Sequence, residues 1–377
     1  MSLPLAPPPL HIALSGTPRE IGLEHGTQLA LQIRRQIQIY TAMFQRTSNL
    51  NWAEVRATSV AYQKNIRALV PEIYEEMEGI AAGAAAAGAG VDVLDIVAMN
   101  ARSEIALGMF SDGCTSLGWK LVQGNEDVIL AQNWDWTPRA QENVVMMSIE
   151  QPGRPKIYML TEAGIVGKIG FNSASVGVCL NALRAHPTDS SKLPIHVALR
   201  VCLDSSSVQH AIDRLTALGG VASSQHILIA DREGAVAMEL SPLGDTYIRP
   251  NERGYVTHTN HFVQKVPQGV TEPHWPGIAS HERLARINVL MDALVSEGLA
   301  NDGDIRATLR RRIFADTDNA PASICCMENP ARPVETRSRT LFHIAMRFSG
   351  GAAPDAEVVW GNDIADSKTS VLKMPWA

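Results

Sequence analysis

Cys114 stands directly after Gly113, past the turn signal Ser111-Asp112-Gly113 and at the head of a predicted strand, Thr115–Trp119. If the peptide bond before it breaks, Cys114 becomes an N-terminus that carries a thiol and an α-amine together. An α-amine titrates at about 7.7–8.0 and so accepts a proton near neutral pH. A thiol, at about 8.5, needs an adjacent base to become a good nucleophile. One residue then supplies both. Gly113, lacking a Cβ, tolerates the strained backbone needed for thiol attack on the preceding carbonyl. In isolation, Asp112-Gly113-Cys114-Thr115 also reads as a turn followed by a buried structural cysteine.

Two polar clusters give the string a context. Gln132-Asn133-Trp134-Asp135 ends one apolar strand-like segment, and His258-Thr259-Asn260-His261 ends another. Polar groups packed after apolar strands must be paired or functional. His258 and His261, three apart and without a carboxylate partner, make a poor metal site, so no metal is expected. The other cysteines, Cys179, Cys202, Cys325 and Cys326, are scattered. Neither a disulfide framework nor a zinc spacing emerges, and most of them read as small buried hydrophobes.

The elements that must position these groups fall into two regions. Thr17-Pro18-Arg19-Glu20 is a capping box opening a helix to about Phe44; further helices are expected over Trp52–Ala68, after Pro71, and over Val93–Leu107. After Gly113 the texture turns to strands, at Thr115–Trp119, Val128–Asn133, Val144–Ile149, Ile157–Thr161, Gly167–Phe171 and Val176–Leu180. Helices return at Ile195–Cys202, Val208–Leu218 and His281–Glu297. Strands recur at His226–Ala230, Ala235–Leu240, Tyr255–Thr259, Thr340–Phe348 and Glu357–Trp360. Antiparallel strands interleaved with helices predict an α+β, αββα-layered fold.

The 377 residues, 45% hydrophobic and 19% charged, suit a globular chain with a sizeable core. A net charge of −6 without basic runs speaks against nucleic acid and anionic membrane as partners. The Pro-rich segment Met1–Pro9 lacks the pattern of a secretory signal, and the end Met374-Pro375-Trp376-Ala377 is no peroxisomal tripeptide. A cytoplasmic location is expected.

Further strings accompany those around Cys114: Gly16-Thr17-Pro18-Arg19-Glu20-Ile21-Gly22-Leu23-Glu24-His25-Gly26, Asn100-Ala101-Arg102-Ser103-Glu104, the run from Thr161 to Ser173, and Thr340-Leu341-Phe342. In this order they resemble the isopenicillin N acyltransferase family, the acyl-coenzyme A:6-aminopenicillanate acyltransferases, which are self-processing N-terminal-nucleophile enzymes. The resemblance implies an N-terminal-nucleophile αββα sandwich with a helical N-terminal segment. It implies cleavage between Gly113 and Cys114 into residues 1–113 and a catalytic 114–377 that remain associated as a heterodimer. Cys114 would be the nucleophile, Asp135 would orient its α-amine, and Asn260 would donate to the oxyanion. Ser224 matches a serine near the site. Arg337, with Thr115 and Trp136, would contact substrate, Arg337 through a carboxylate.

Plainer roles stay open for several of these residues. Asp135 as a turn cap, Ser224 as a backbone partner, and Arg332 or Arg339 in place of Arg337 are alternatives; His25 reads as a cap or packing residue of the first helix. Ser323-Ile324-Cys325-Cys326 departs from the family, which often carries Arg after Ser-Ile-Cys, so a charge late in the site is missing. The implied chemistry is acyl transfer through a Cys114 acyl-enzyme. It needs no cofactor, with acyl-coenzyme A as a possible co-substrate, and takes small amides, amines or thioesters. Hydrolysis of small N-acyl or β-alanyl amides is the alternative. An unprocessed, inactive homologue serving as a binding protein is another.

Overall fold

The computed structural model describes residues 8–105, 113–122, 126–273, 279–299, 304–365 and 370–376. The readings made for Ser111-Asp112, for Ala106 and Leu107, and for residues 1–7 lie outside these.

The N-terminal region is helical. Helix α1 (Pro18–Gln28) opens on the expected capping box, in which Thr17 Oγ1 accepts from Glu20 N–H and the Glu20 carboxylate accepts from Thr17 N–H. The single helix expected to Phe44 is instead two, because the chain turns at Leu29 before α2 (Ala30–Ser48). Helices α3 (Trp52–Leu69) and α4 (Pro71–Ala86) follow. The Ala/Gly-rich stretch serves close packing of α1 on α4: a Cβ on Gly26 would lie 2.0 Å from Ile80 O, and one on Gly83 2.1 Å from Leu23 O. The fourth expected helix also divides, into α5 (Val93–Asn100) and α6 (Arg102–Ile105).

Two sheets form the centre. The first runs β1 (Leu10–Ser15), β4 (Val144–Glu150), β5 (Ile157–Glu162), β6 (Ile169–Asn172), β7 (Gly177–Ala182), β8 (Gln225–Asp231), β9 (Gly234–Leu240) and β10 (Thr246–Ile248). The second runs β11 (Tyr255–His258), β2 (Cys114–Lys120), β3 (Val128–Trp136), β12 (Arg339–Phe348), β13 (Asp355–Trp360) and β14 (Val371–Met374). Pairing is antiparallel as expected, except that β1 lies parallel to β4. Strands β1, β10 and β14 were not foreseen; each keeps exposed or half-exposed positions, and none carries more than three apolar residues in a row.

Alternation along β2 and β3 sets the layers. Leu117, Trp119, Ile129 and Ala131 point outward and pack with Ile287 and Met291 of α9 (Ser280–Ser296) and with Leu309 of α10 (Ile305–Leu309). Ser116 and Gln132 point inward and reach β7, through Ser116 Oγ to Asn181 Oδ1 and Gln132 Nε2 to Leu180 O. Helices α7 (Ile195–Leu203) and α8 (Val208–Ala217) cover the other sheet, and Arg200 of α7 pairs with Glu76 of α4. The αββα sandwich with its helical N-terminal segment is therefore present.

Candidate active site

Cys114 begins β2, between β11 and β3, and its direct cross-strand partner is Trp134. Its side chain shares the inward face with Ser116, while Thr115 and Asp135 take the opposite face. The backbone around it is held on all sides. Cys114 N–H donates to Asn260 Oδ1 at 2.8 Å, and its carbonyl accepts from Arg283 Nη1 at 2.7 Å and Asn181 Nδ2 at 3.0 Å. One residue earlier, Gly113 O accepts from Asp135 N–H at 3.0 Å. A Cβ on Gly113 would stand 3.0 Å from Asp135 Oδ2 and 3.4 Å from Arg283 Nη2, so the carboxylate abuts the Gly113–Cys114 junction.

Asp135 and Asn260 are themselves fixed. Asp135 Oδ1 accepts from Thr340 Oγ1 at 2.6 Å, and Thr340 Oγ1 accepts from Cys326 N–H. Asn260 N–H donates to Ser280 Oγ at the start of α9, and Asn260 Nδ2 donates to Ala182 O at 3.1 Å. The amide carries a second Nδ2 hydrogen for a further acceptor. Arg283, one turn beyond Ser280, joins the two parts by donating to Asn260 Oδ1 and Thr115 Oγ1 as well as Cys114 O. The arrangement presents a thiol, a carboxylate beside the adjoining amide, and a rigid neutral donor, which are the parts acyl transfer requires.

A family model described as acyl-coenzyme A:6-aminopenicillanic acid acyl-transferase matches residues 122–359. The acyl-coenzyme A:6-aminopenicillanic-acid-acyltransferase 40 kDa form of Emericella nidulans is 32% identical over 373 residues, covering 96% of this chain and 99% of that protein. The chain belongs to this acyltransferase family. It is an enzyme of acyl transfer or amide hydrolysis. Among solved structures, an N-acylethanolamine-hydrolyzing acid amidase ortholog of Caenorhabditis elegans is similar at a TM-score of 0.42 with 17% identity, covering 62% of this chain and 92% of that one. A conjugated bile acid hydrolase variant from Clostridium perfringens is similar at 0.40 with 12% identity, covering 70% and 85%.

The remaining expected residues are dispersed around Cys114, Asp135 and Asn260. Ser224 precedes β8, next to Gln225, whose strand partner is Ala182, the residue that takes Asn260 Nδ2. Its hydroxyl is buried without a hydrogen-bond partner among the described residues. Thr115 is buried and bonded to Arg283, and Trp136 is buried with the Arg102 guanidinium 4.5 Å over its ring. Arg337 is held within its own loop by Glu328 and by the carbonyls of Arg332 and Pro330. His25 packs as expected, accepting from Gly164 N–H, with its pKa lowered to about 3 by burial and by Arg200.

Cys326, the departure from the family pattern, adjoins Asp135 through Thr340 and lines a cavity of about 390 Å³ together with Ser338, Arg332, Met327 and Glu282. Burial, with Asp135 adding to it, pushes the Cys326 thiol up and takes neighbouring Cys325 to about 12. Arg283 brings a guanidinium to this region from α9 rather than from the segment after Ser323. Among the described residues no group of His, Cys, Asp or Glu could hold a metal ion, and no helix is long and apolar enough to cross a membrane.

Sequence reasoning also missed a buried charge cluster between the sheets. Glu162 accepts from Tyr40 OH and from Lys168 Nζ at 2.8 Å, and Arg102 Nη2 lies 3.4 Å away. The signal was there in principle: Glu162 and Lys168 are charged residues at the edges of apolar strands, and buried charges demand partners.

Proposed function

We propose that this enzyme cuts its own chain before Cys114 and then carries acyl groups on that thiol. The contact set at the junction carries the reading: Gly113 O on Asp135 N–H, and Cys114 N on Asn260 Oδ1. In the first event Cys114 Sγ attacks the Gly113 carbonyl carbon. The Gly113–Cys114 C–N bond breaks as the departing amine takes up the thiol proton, leaving Gly113 as a thioester on Sγ. The Asp135 amide that already holds Gly113 O stabilises the negative oxygen of the tetrahedral stage. One water then hydrolyses the thioester to a Gly113 carboxylate, a free thiol and a free α-amine.

In turnover the α-amine takes the thiol proton, and the Asp135 carboxylate beside it stabilises the ammonium. Sγ attacks the acyl carbonyl of an amide or thioester, Asn260 Nδ2 donates to the oxyanion, and the leaving amine or thiolate receives the proton. The acyl-enzyme then passes its acyl group to water or to an amine by the same steps. Residues 1–113 and 114–377 form the two associated chains. Ser224, with its unengaged buried hydroxyl near Ala182, is proposed to bond substrate on the Asn260 side. The curated relative's name points to acyl-coenzyme A as donor and 6-aminopenicillanate as acceptor; hydrolysis of small N-acyl amides is the second reading, because water fits the same sequence of steps.

Denaturing electrophoresis with N-terminal sequencing tests the scission. Two fragments are expected, the larger beginning at Cys114, and Cys114→Ala should give one intact chain. A folded, active enzyme that remains full-length overturns the proposal. Coenzyme A release from acyl-coenzyme A, with and without 6-aminopenicillanate, separates transferase from hydrolase.

A further inference from the structure

The cluster beneath Cys114 has no part in the steps above. Lys168 is buried just before β6, with Nζ 2.8 Å from Glu162 Oε2 and 4.3 Å from the centre of the Trp134 ring. Trp134 is the direct cross-strand partner of Cys114 and points to the same face. Direct antiparallel partners have Cα atoms about 4.5–5.5 Å apart, so ammonium, indole and thiol share one small interior region. The cation is fixed from both sides, by a carboxylate that Tyr40 and Arg102 also grip and by an aromatic face. In such an interior a charge acts more strongly than it does in water.

We propose that Lys168 acts through Cys114, its ammonium favouring the thiolate form of the nucleophile for both chain scission and acyl transfer. The inference rests on the reading of Cys114 as nucleophile. The other groups facing this region define the balance. Arg102 adds to the positive field and Glu162 opposes it. Tyr40 is pushed up and His196 pushed down, each mainly by burial, so both stay neutral; burial likewise keeps the Cys179 thiol protonated. Arg283 approaches Cys114 from the backbone side. Burial lowers Lys168 to about 8, with Glu162 resisting the fall and Cys114 attracting the ammonium. The cation therefore persists at neutral pH and fades above about 8, in a titration coupled to that of the thiol.

The test is alkylation of Cys114 by iodoacetamide across about pH 5–10, read by mass spectrometry of the Cys114 peptide, in the wild type, Lys168→Met and Lys168→Arg, compared in the same processing state as told by the N-terminus of that peptide. Lys168→Met should raise the midpoint by about one unit or more and slow alkylation at neutral pH about tenfold. An unchanged midpoint overturns the proposal. Circular dichroism scores folding. If Lys168→Met does not fold, Lys168→Arg decides, because its charge does not titrate in this range: its midpoint should lie at or below that of the wild type, and a higher one overturns the proposal. Activity is followed in parallel. Alkylated Cys114 with undiminished acyl transfer defeats the nucleophile reading itself, whereas lost activity with midpoints indifferent to residue 168 defeats only the role of Lys168.

Discussion

Arg283 grips both halves of the site at once, with Nη1 2.7 Å from Cys114 O and Nη2 2.8 Å from Asn260 Oδ1. A planar guanidinium can span the two acceptors, and the point charge of lysine cannot. Arg283→Lys should therefore loosen the register between Cys114 and Asn260, the proposed nucleophile and oxyanion donor. Hydrogen bonds to charged groups contribute about 1.5–3 kcal/mol, so a fall of about 10–100-fold in kcat is expected with little change in KM. Steady-state kinetics with a saturating acyl donor checks this. An unaltered kcat would remove Arg283 from the site's working parts.

Asn260→Ala removes both the acceptor of Cys114 N–H and the Nδ2 donor. Loss of one oxyanion donor lowers kcat by about 10²–10³. Chain scission should slow as well, because the junction loses a contact. Single-turnover acylation and a cleavage time course read the two effects separately; normal acylation rates would assign the oxyanion to another donor.

Gly113→Ala places a methyl about where Asp135 Oδ2 now approaches, at 3.0 Å. The carboxylate must give way while the junction is intact. After the proposed scission, residue 113 would be merely the end of the other fragment. The variant is expected to mature slowly yet reach near-normal specific activity once cut, as followed by gel densitometry and assay of the same samples. Equal loss of both would mean that the glycine serves turnover rather than processing.

Burial alone would raise the Glu162 carboxyl, but Arg102 and Lys168 together hold it well below the usual range. A carboxylate depressed in the folded state stabilises the protein above its unfolded value of about 4.3, and this contribution is lost as pH falls. Glu162→Gln should cost about 3–5 kcal/mol at neutral pH by leaving two buried cations short of their partner. The gap from wild type should narrow below about pH 4. Urea midpoints at neutral and acid pH provide the comparison, and a constant gap would mean that the ion pairs contribute little.

Where apolar residues recur at helical or strand spacing, the fold was readable from the chain. The box at Thr17–Glu20 and the runs at Val128–Asn133 and Ala235–Leu240 became the elements expected of them. Strand β10 was invisible because half-exposed Thr246–Ile248 has no inner face to pattern it. The site divides in the same way. Cys114, Asp135 and Asn260 follow turns or end apolar segments, and such positions stand out. Arg283 stands in sequence among His281, Glu282 and Arg286, where charge is ordinary; only the approach of α9 to the start of β2 gives it a role. Arg337 is held within its own loop, and the guanidinium beside Cys114 comes from α9, far along the chain. Likewise, Tyr40, Arg102, Glu162 and Lys168 become one cluster only when α2, α6, β5 and the segment before β6 converge.

Strand β1 belongs to the segment before Cys114, yet it forms the outer edge of the larger sheet by pairing along its length with β4. The ladder closes while the polypeptide is continuous, so assembly at that stage is unimolecular and independent of concentration. With the bond before Cys114 cut as proposed, recovery from denaturant would require two separate molecules to meet. A two-chain enzyme of this kind would be held by a barrier to unfolding as much as by its folding equilibrium, and its refolding yield, unlike that of the uncut Cys114→Ala chain, should rise with protein concentration.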